Sequence, residues 1–254
     1  WMEFLELAQY FTYEMIKEQN EGKTDSTPDP AMIDMFNAMV DEMFEYGRFI
    51  LKEKRKNPAN DLLSAIANAE INGEKLSDEF LDGSWLLIIF AGNDTTRNTM
   101  SGGIKLLHEN QEQKEMLIND LELLSNFINE TVRCVSPVIH MRRTSLEETE
   151  INGQKIGPYE KIALWYGAAN RDPDVFEDPD KFNILRDNAD KHLAFGIGRH
   201  TCIGKPVALM QLQEFYSQFL TRFQDFEMNG DWKVAPNNFV HAIQEMPIKF
   251  SPSK

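Results

Sequence analysis

The residues best suited to chemistry lie between positions 195 and 204, in the run Phe-Gly-Ile-Gly-Arg-His-Thr-Cys-Ile-Gly. Cys202 has glycines around it and a basic residue on either side. Positive charge and backbone N–H donors favour the thiolate form of a cysteine, and glycines let the backbone fold closely around the sulfur. One thiolate cannot complete a structural zinc site, which needs four ligands. It is sufficient as the axial ligand of a haem iron, and we take that as the first hypothesis for Cys202.

A second candidate is the run Ala-Gly-Asn-Asp-Thr-Thr at residues 91–96, which follows an apolar stretch. Burying the Asp94 carboxylate would cost several kcal/mol unless it is paired or hydrated. Two interpretations are open. One is a solvated helix turn with an ordinary bond from a hydroxyl to the backbone. The other is a local helix distortion in which Thr95 and Asp94 relay protons.

Charged residues form a third group of candidates. Glu130 and Arg133 share a helix face because they are three residues apart, and they can pair there, although a surface pair of this kind contributes little. Arg143 has the planar guanidinium that suits carboxylates. Arg142 is its neighbour, so the assignment could shift by one position, and an ordinary surface arginine remains an alternative.

The elements that must position these residues are mostly helical. Apolar residues at three- and four-residue spacing predict helices, and alternating residues around Asn-Gly predict a β-hairpin. The fold class is therefore mainly α with a small β subdomain (α+β), in a single domain over residues 1–254. Helices are predicted over 1–19, 32–53, 61–69, 78–109, 111–116, 121–134 and 205–223; the hairpin covers 149–156, a strand 161–166, an irregular segment 167–194 and short strands 231–250.

Composition excludes several classes of function. The formal net charge of −15 disfavours nucleic acid as a partner, because phosphate binding needs clustered basic residues. Two cysteines, Cys134 and Cys202, are too few for a disulfide framework and favour a cytoplasmic location. The longest strongly apolar run, residues 85–92, is too short to span a membrane, and no signal peptide is recognisable.

The motifs together resemble those of the cytochrome P450 family. The cysteine run matches the family's haem-ligand loop, residues 91–96 its oxygen-activation motif, and Glu130 with Arg133 its Glu-x-x-Arg motif. The resemblance extends from about residue 40 to the C-terminus. It implies the cytochrome P450 fold with its N-terminal part missing.

This resemblance implies roles for individual residues. Cys202 is the axial ligand of haem b, and Arg143 and His200 bind its propionates. Thr95 hydrogen-bonds dioxygen and Asp94 supplies protons from water. Glu130 and Arg133 are buried and bond to Arg186 in the irregular segment. The remaining cofactor-binding residues are Phe195, Gly196, Gly204 and Ala91.

The implied function is a haem-thiolate monooxygenase that inserts one atom of O2 into a C–H bond of a long apolar substrate. Residues 136–144 and 165–172 are similar to soluble bacterial members that oxidise alkanes, branched lipids and sterol side chains. The implied substrate is thus an alkane, fatty acid, terpenoid or sterol side chain, and the electron donor is a ferredoxin or a flavin-type protein. Two alternatives are a haem-thiolate binding or sensor protein without turnover, against which Asp94 and Thr95 argue, and an inactive fragment that binds no haem. One local departure is Tyr159, where the family has a glycine.

Overall fold

A computed structural model describes residues 30–252 apart from Pro236 and Asn238. The helix and loop predicted for residues 1–29 lie outside this part. The mainly helical prediction is confirmed. The α-helices are α1 (Pro30–Lys56), α2 (Leu62–Asn68), α3 (Asp78–Glu109), α4 (Gln111–Asn119), α5 (Leu124–Val135), α6 (Tyr166–Ala169) and α7 (Lys205–Arg222). Single 3-10 turns occupy Leu121–Leu123, Ala189–Lys191 and Gly198–His200.

The strands form small antiparallel pairs. They are β1 (Glu70–Ile71), β2 (Glu74–Lys75), β3 (His140–Thr144), β4 (Thr149–Ile151), β5 (Gln154–Ile156), β6 (Lys161–Trp165), β7 (Asp225–Met228), β8 (Lys233–Ala235), β9 (Ala242–Glu245) and β10 (Ile248–Ser251). The pairs are β1–β2, β3–β6, β4–β5, β7–β10 and β8–β9. The predicted hairpin is β4–β5, and Asn152 and Gly153 both adopt positive φ in its turn, at 49° and 80°. That is the conformation for which Asn-Gly is selected.

Helix boundaries follow the sequence closely. The predicted bounds of α3, residues 78–109, are confirmed, and the Ser77 hydroxyl accepts a hydrogen bond from the backbone N–H of Phe80 at its start (3.3 Å). The helix runs without interruption through residues 91–96, where one interpretation expected a distortion. Predictions at other ends were off by a few residues: α4 continues to Asn119, and a 3-10 turn precedes α5.

The described residues divide into two compact units between Asn93 and Asp94. In the first unit, the Trp85 indole N–H donates to the backbone oxygen of Met43 (3.1 Å). A Cβ on Gly47 would lie 2.5 Å from the Trp85 ring, so this close approach requires glycine. The core of this unit consists of Met43, Leu51, Ala67, Leu81 and Trp85.

The second unit has the larger core, centred on Phe127 of α5 and Tyr216 of α7. Their rings meet edge to face with centroids 4.8 Å apart. The Tyr216 hydroxyl donates to the backbone oxygens of Thr99 and Met100 on α3, at 2.9 and 3.0 Å. A Cβ on Gly103 would lie 2.1 Å from that hydroxyl oxygen. Close packing of α3, α5 and α7 thus fixes the position of α7, which begins three residues after Cys202.

Tyr159, the departure noted in the sequence, adopts a φ of +64°. This is the left-handed region, which a glycine occupies without strain. The surrounding loop is held by Ser145, whose backbone oxygen accepts from Tyr159 N (2.8 Å) and whose hydroxyl accepts from Glu160 N (3.0 Å). The departure is therefore a local loop variation.

Among the described residues, the structure contains no helix that is both long and apolar enough to cross a membrane.

Candidate functional site

The cysteine loop, residues 192–204, is closed by hydrogen bonds within its own backbone. Cys202 N donates to the backbone oxygen of Phe195 (2.8 Å), and Gly196 N donates to that of Leu193 (2.8 Å). Gly196 and Gly198 adopt φ of +70° and +73°, which side chains with a Cβ seldom allow. These two glycines turn the chain so that Cys202 lies exposed at the surface of the second unit.

The thiol lies at the beginning of α7. Gly204 is the N-cap residue of that 18-residue helix, and a Cβ placed on it would lie 3.8 Å from the Cys202 sulfur. The N-terminal end of a helix carries partial positive charge that favours an anion. Lys205 adds a full charge there, with its ammonium 5.5 Å from the centre of the Phe195 ring. Cys202 therefore lies next to the N-terminal end of α7 and three residues before Lys205.

Apolar side chains next to the thiol are exposed. Ile203 follows Cys202 and is 79% exposed, and Ile197 of the same loop is 72% exposed. Val207 and Met210, three residues apart on the first turns of α7, are also exposed. In the part of the chain that the structure describes, no group of three or more His, Cys, Asp or Glu residues could hold a metal ion. A single sulfur beside an apolar surface suits a large apolar cofactor whose metal needs one protein ligand.

The two predicted propionate ligands, Arg143 and His200, have no carboxylate partner among the described residues. Arg143 is half-buried on β3 and pairs in register with Ile162 of β6, and its Nη1 donates to the backbone oxygen of Arg142 (3.0 Å). Adjacent strand residues face opposite sides of a sheet, so Arg142 and Arg143 cannot serve the same side. His200 is exposed in the 3-10 turn Gly198–His200.

Asp94 and Thr95 lie on α3, and Ala91 lies one turn earlier in the first unit. The Asp94 carboxylate is largely buried and pairs with Arg97, with Nη2 2.5 Å from Oδ1. The Asn98 amide donates to the backbone oxygen of Asp94, and the Thr99 hydroxyl donates to that of Thr95, both at 2.8 Å.

The Asp94–Arg97 pair was not predicted, although the spacing of three residues is a signal that could have revealed it. The pair joins the carboxylate to a half-exposed guanidinium, with side-chain exposures of 12% and 36%. Asp94 thus has both a buried position and a charged neighbour that reaches solvent.

Glu130, Arg133 and Arg186 form a buried ionic cluster. The Arg133 guanidinium binds both carboxylate oxygens of Glu130, at 2.7 and 2.8 Å, and Arg186 Nε lies 3.1 and 3.2 Å from the same two atoms. Glu130 and Arg133 have no exposed surface, and Arg186 is 6% exposed. Of the two interpretations of the Glu130–Arg133 spacing, the surface pair is wrong.

Backbone oxygens satisfy the remaining donors of the ionic cluster. Arg133 Nη1 donates to the oxygens of Asn170 and Pro179, both at 2.7 Å, and Arg186 donates to three more in the irregular segment, those of Glu177, Asp178 and Lys181. One carboxylate balances two guanidinium groups only in part, so these carbonyl dipoles hold the excess positive charge. The cluster therefore folds the irregular segment onto α5.

The sequence predicted no role for two buried residues in or near the cysteine loop, although one of them, Asn170, lies in the run 165–172 that carries part of the resemblance. Asn170 has no exposed surface and is hydrogen-bonded through all its polar groups. His192 is 7% exposed, and its Nδ1 accepts from Ala194 N (3.3 Å). Burial, with a smaller contribution from the charge of Lys205, lowers the pKa of His192 to about 4. His192 is thus neutral at physiological pH.

Comparison with known proteins now identifies the family. Residues 28–250 match the cytochrome P450 family. The chain is 36% identical over 214 residues to linalool 8-monooxygenase of Pseudomonas putida, covering 84% of this chain and 52% of that protein. It is 37% identical to the steroid C26-monooxygenase of Mycolicibacterium smegmatis, covering 82% of this chain and 52% of that protein.

A solved structure gives the same result. Cytochrome P450-153 from Novosphingobium aromaticivorans superposes with a TM-score of 0.80 at 35% identity, covering 88% of this chain and 55% of that one. The chain spans about half the length of the curated relatives that it matches. Since the family match extends over most of the chain and includes the cysteine loop, the chain belongs to the cytochrome P450 family.

Proposed function

We propose that this chain carries the haem-thiolate part of a monooxygenase, which inserts one atom of O2 into a C–H bond of an apolar substrate. The observation that carries the proposal is the exposed Cys202 in its glycine-turned loop at the positive end of α7. Two relatives that are named monooxygenases support it. We also propose that both units belong to one domain, because the family match runs across them.

Haem b fits the residues that are present. Cys202 would supply the thiolate ligand, and the Arg143 guanidinium and the His200 imidazole would donate hydrogen bonds to propionates. Phe195, Gly196 and Gly204 would form the loop beneath the macrocycle, with Ala91 as a further contact. When bound, the haem would supply the site at which O2 is activated, because a thiolate ligand favours cleavage of the O–O bond.

Two residues of α3 would supply protons during that reaction. The Thr95 hydroxyl can donate a hydrogen bond to dioxygen. The Asp94 carboxylate can take a proton from water and pass it on, and Arg97 holds this carboxylate in place by their ion pair. Because the side chain of Arg97 is 36% exposed, solvent reaches the outer end of this pair.

The proposed substrates are long and apolar. Relatives named for linalool and for the C26 position of steroids support a terpenoid or a sterol side chain, and we include alkanes and fatty acids on the sequence resemblance. We propose a ferredoxin or a flavin-type protein as the electron donor and a cytoplasmic location. Binding of candidate substrates is measurable as a shift of the haem spin state across a panel of alkanes, fatty acids, terpenoids and sterols.

Thr95→Ala tests the proposed reaction, and Thr96→Ala on the next residue is the matched control. Thr95→Ala should keep substrate binding and electron consumption but release most of the reducing equivalents as hydrogen peroxide, because the hydroxyl that directs proton delivery is gone. Thr96→Ala should keep product yield near that of the wild type. Unchanged product per electron pair in Thr95→Ala would contradict the role of Thr95.

A haem-loaded wild type that binds members of the substrate panel yet forms no product from any of them would favour the sensor alternative.

A further inference from the structure

Asn170, at the end of α6, uses its side chain to join two distant segments. Its Nδ2 donates to the hydroxyl of Ser136 just after α5 (2.8 Å). Its Oδ1 accepts from the backbone N–H of Leu193 (2.6 Å). Its own backbone oxygen accepts from Arg133 of the ionic cluster (2.7 Å). Asn170 therefore lies between the ionic cluster and the start of the cysteine loop.

The bond to Leu193 has no substitute. Apart from bonds to the first turn of α7, it is the one hydrogen bond that joins residues 192–204 to any other part of the described chain. Apart from the bonds that Lys205 N and Ala208 N donate to it, the other hydrogen bonds of this loop are internal, such as that from Ala194 N to His192 Nδ1. A backbone N–H that loses its only buried acceptor opens more readily to solvent.

From Leu193 the bonds continue to the thiol. The Leu193 oxygen accepts from Gly196 N, and the Phe195 oxygen accepts from Cys202 N, both at 2.8 Å. Movement of Leu193 therefore displaces the turn at Gly196, and with it the residue whose oxygen holds Cys202. The packing at Gly196 is tight, because a Cβ there would lie 3.3 Å from the backbone oxygen of His200.

We propose that Asn170 is a positioning residue for Cys202: its side-chain oxygen anchors the cysteine loop to the ionic cluster and so fixes where the thiolate stands. The proposal rests on the proposed function in assigning Cys202 as the haem ligand. The anchoring itself is a property of this chain and is measurable without haem.

Amide hydrogen exchange in the full chain tests the anchoring. Asn170→Ala removes the acceptor of Leu193 N, so exchange at Leu193 rises directly and carries no information. The informative amides are Gly196 and Cys202, whose own acceptors are untouched. We expect both to exchange about tenfold faster than in the wild type, which corresponds to the loss of one buried hydrogen bond. Asn170→Leu, which fills a similar volume, should give the same result if the alanine variant folds poorly.

Asn126→Ala is the matched control. The Asn126 amide donates to the backbone oxygens of Ile184 and Arg186, at 2.7 and 3.1 Å. This variant, like Asn170→Ala, therefore loses two side-chain hydrogen bonds, but neither of them leads to the cysteine loop. Exchange at Gly196 and Cys202 should stay near the wild-type rate. Equal acceleration in the Asn126 and Asn170 variants, or none in either Asn170 variant, would overturn the proposal. Asn170→Asp keeps an oxygen for Leu193 N and should restore slow exchange.

A spectroscopic test separates this proposal from the proposed function. In the haem-loaded protein, reduced and treated with CO, Asn170→Ala should lower the fraction of haem with the red-shifted Soret band of thiolate ligation, and Asn126→Ala should not. If the wild type lacks that band, the assignment of Cys202 fails while the exchange experiment still decides the anchoring. If the band is intact in Asn170→Ala although exchange is faster, the loop is anchored by Asn170 but the thiolate is positioned by something else, and the proposal is wrong.

Discussion

The ionic cluster and the cysteine loop differ in how fully their polar groups are used. Glu130, Arg133 and Arg186 are buried, and their charged groups bond to one another or to backbone oxygens. Cys202 and His200 are exposed, and no described carboxylate pairs with His200 or Arg143. A group whose bonding capacity is filled within the protein cannot bind a cofactor. The ionic cluster therefore stabilises the fold, and the cysteine loop carries the groups that remain available to bind a cofactor.

Charge density alone would have suggested that the ionic cluster is the functional site and that the cysteine loop is structural. A buried carboxylate between two guanidinium groups often marks an active site, whereas a lone exposed cysteine does not. The backbone distinguishes the two regions. The ionic cluster binds an irregular segment to a helix, whereas two glycines with positive φ in the cysteine loop turn Cys202 toward the surface. The following predictions test this contrast.

The largest effect is expected for Glu130→Gln. This variant keeps the shape of the side chain but leaves two buried guanidinium groups without their counter-charge, and breaking a buried pair in this way costs about 3–5 kcal/mol. Chemical denaturation should show a loss of that size in the free energy of unfolding. Glu227→Gln removes the partner of Lys249 in an exposed pair and should change stability by less than about 0.5 kcal/mol. Similar losses in both variants would refute the structural role of the cluster.

A second comparison uses two glycines of α3. Gly103→Ala would place a methyl group against the Tyr216 hydroxyl and Thr131, and such overpacking costs about 1–3 kcal/mol. Around Gly92, in the run of residues 91–96, nothing in the described part of the chain lies within 4 Å of an added Cβ. Gly92→Ala should therefore raise stability by about 0.5–1 kcal/mol through helix propensity. Thermal unfolding of the two variants should move in opposite directions, and a loss in both would show that the open face is packed as tightly as the core.

A third prediction concerns His192, which is buried in the cysteine loop yet neutral. The unfolded chain takes up a proton near pH 6.5, whereas the folded chain does so only near the pKa of about 4. The unfolded state binds more protons between these values, so stability is full above pH 6.5 and falls as the pH is lowered. The expected loss is about 2 kcal/mol between roughly pH 7.5 and pH 5. His192→Gln should remove this part of the pH dependence of unfolding, and an unchanged pH dependence would show that His192 titrates normally.

Much of the fold was predictable because the signals are local. The bounds predicted for α3, residues 78–109, and the turn predicted at Asn152-Gly153 each depend on a short piece of sequence, and both predictions were correct. The family motifs likewise pointed to Cys202 and to the trio of Glu130, Arg133 and Arg186.

Other features depend on contacts that no spacing records. Asn170 meets Leu193 across 23 residues of irregular chain, and His192 is buried by packing that its neighbours in sequence do not indicate. One interpretation expected a helix distortion at residues 91–96, but the helix is regular there. Bonds from Asn98 and Thr99 to the backbone oxygens of the preceding turn are compatible with a regular helix.

The most direct measurement of the central claim is the absorption spectrum of the reduced, CO-treated protein after haem titration, compared between Cys202→Ala and Cys134→Ala. Burial raises the pKa of the Cys134 thiol to about 12, and its sulfur lies 3.3 Å from Arg133 Nη2 in the ionic cluster, so Cys134 is protonated and unavailable as a ligand. The wild type and Cys134→Ala should show the red-shifted Soret band of thiolate-ligated haem, and Cys202→Ala should lose it. An imidazole-type band in the wild type, or a thiolate band that survives in Cys202→Ala, would contradict the assignment of Cys202 as the haem ligand.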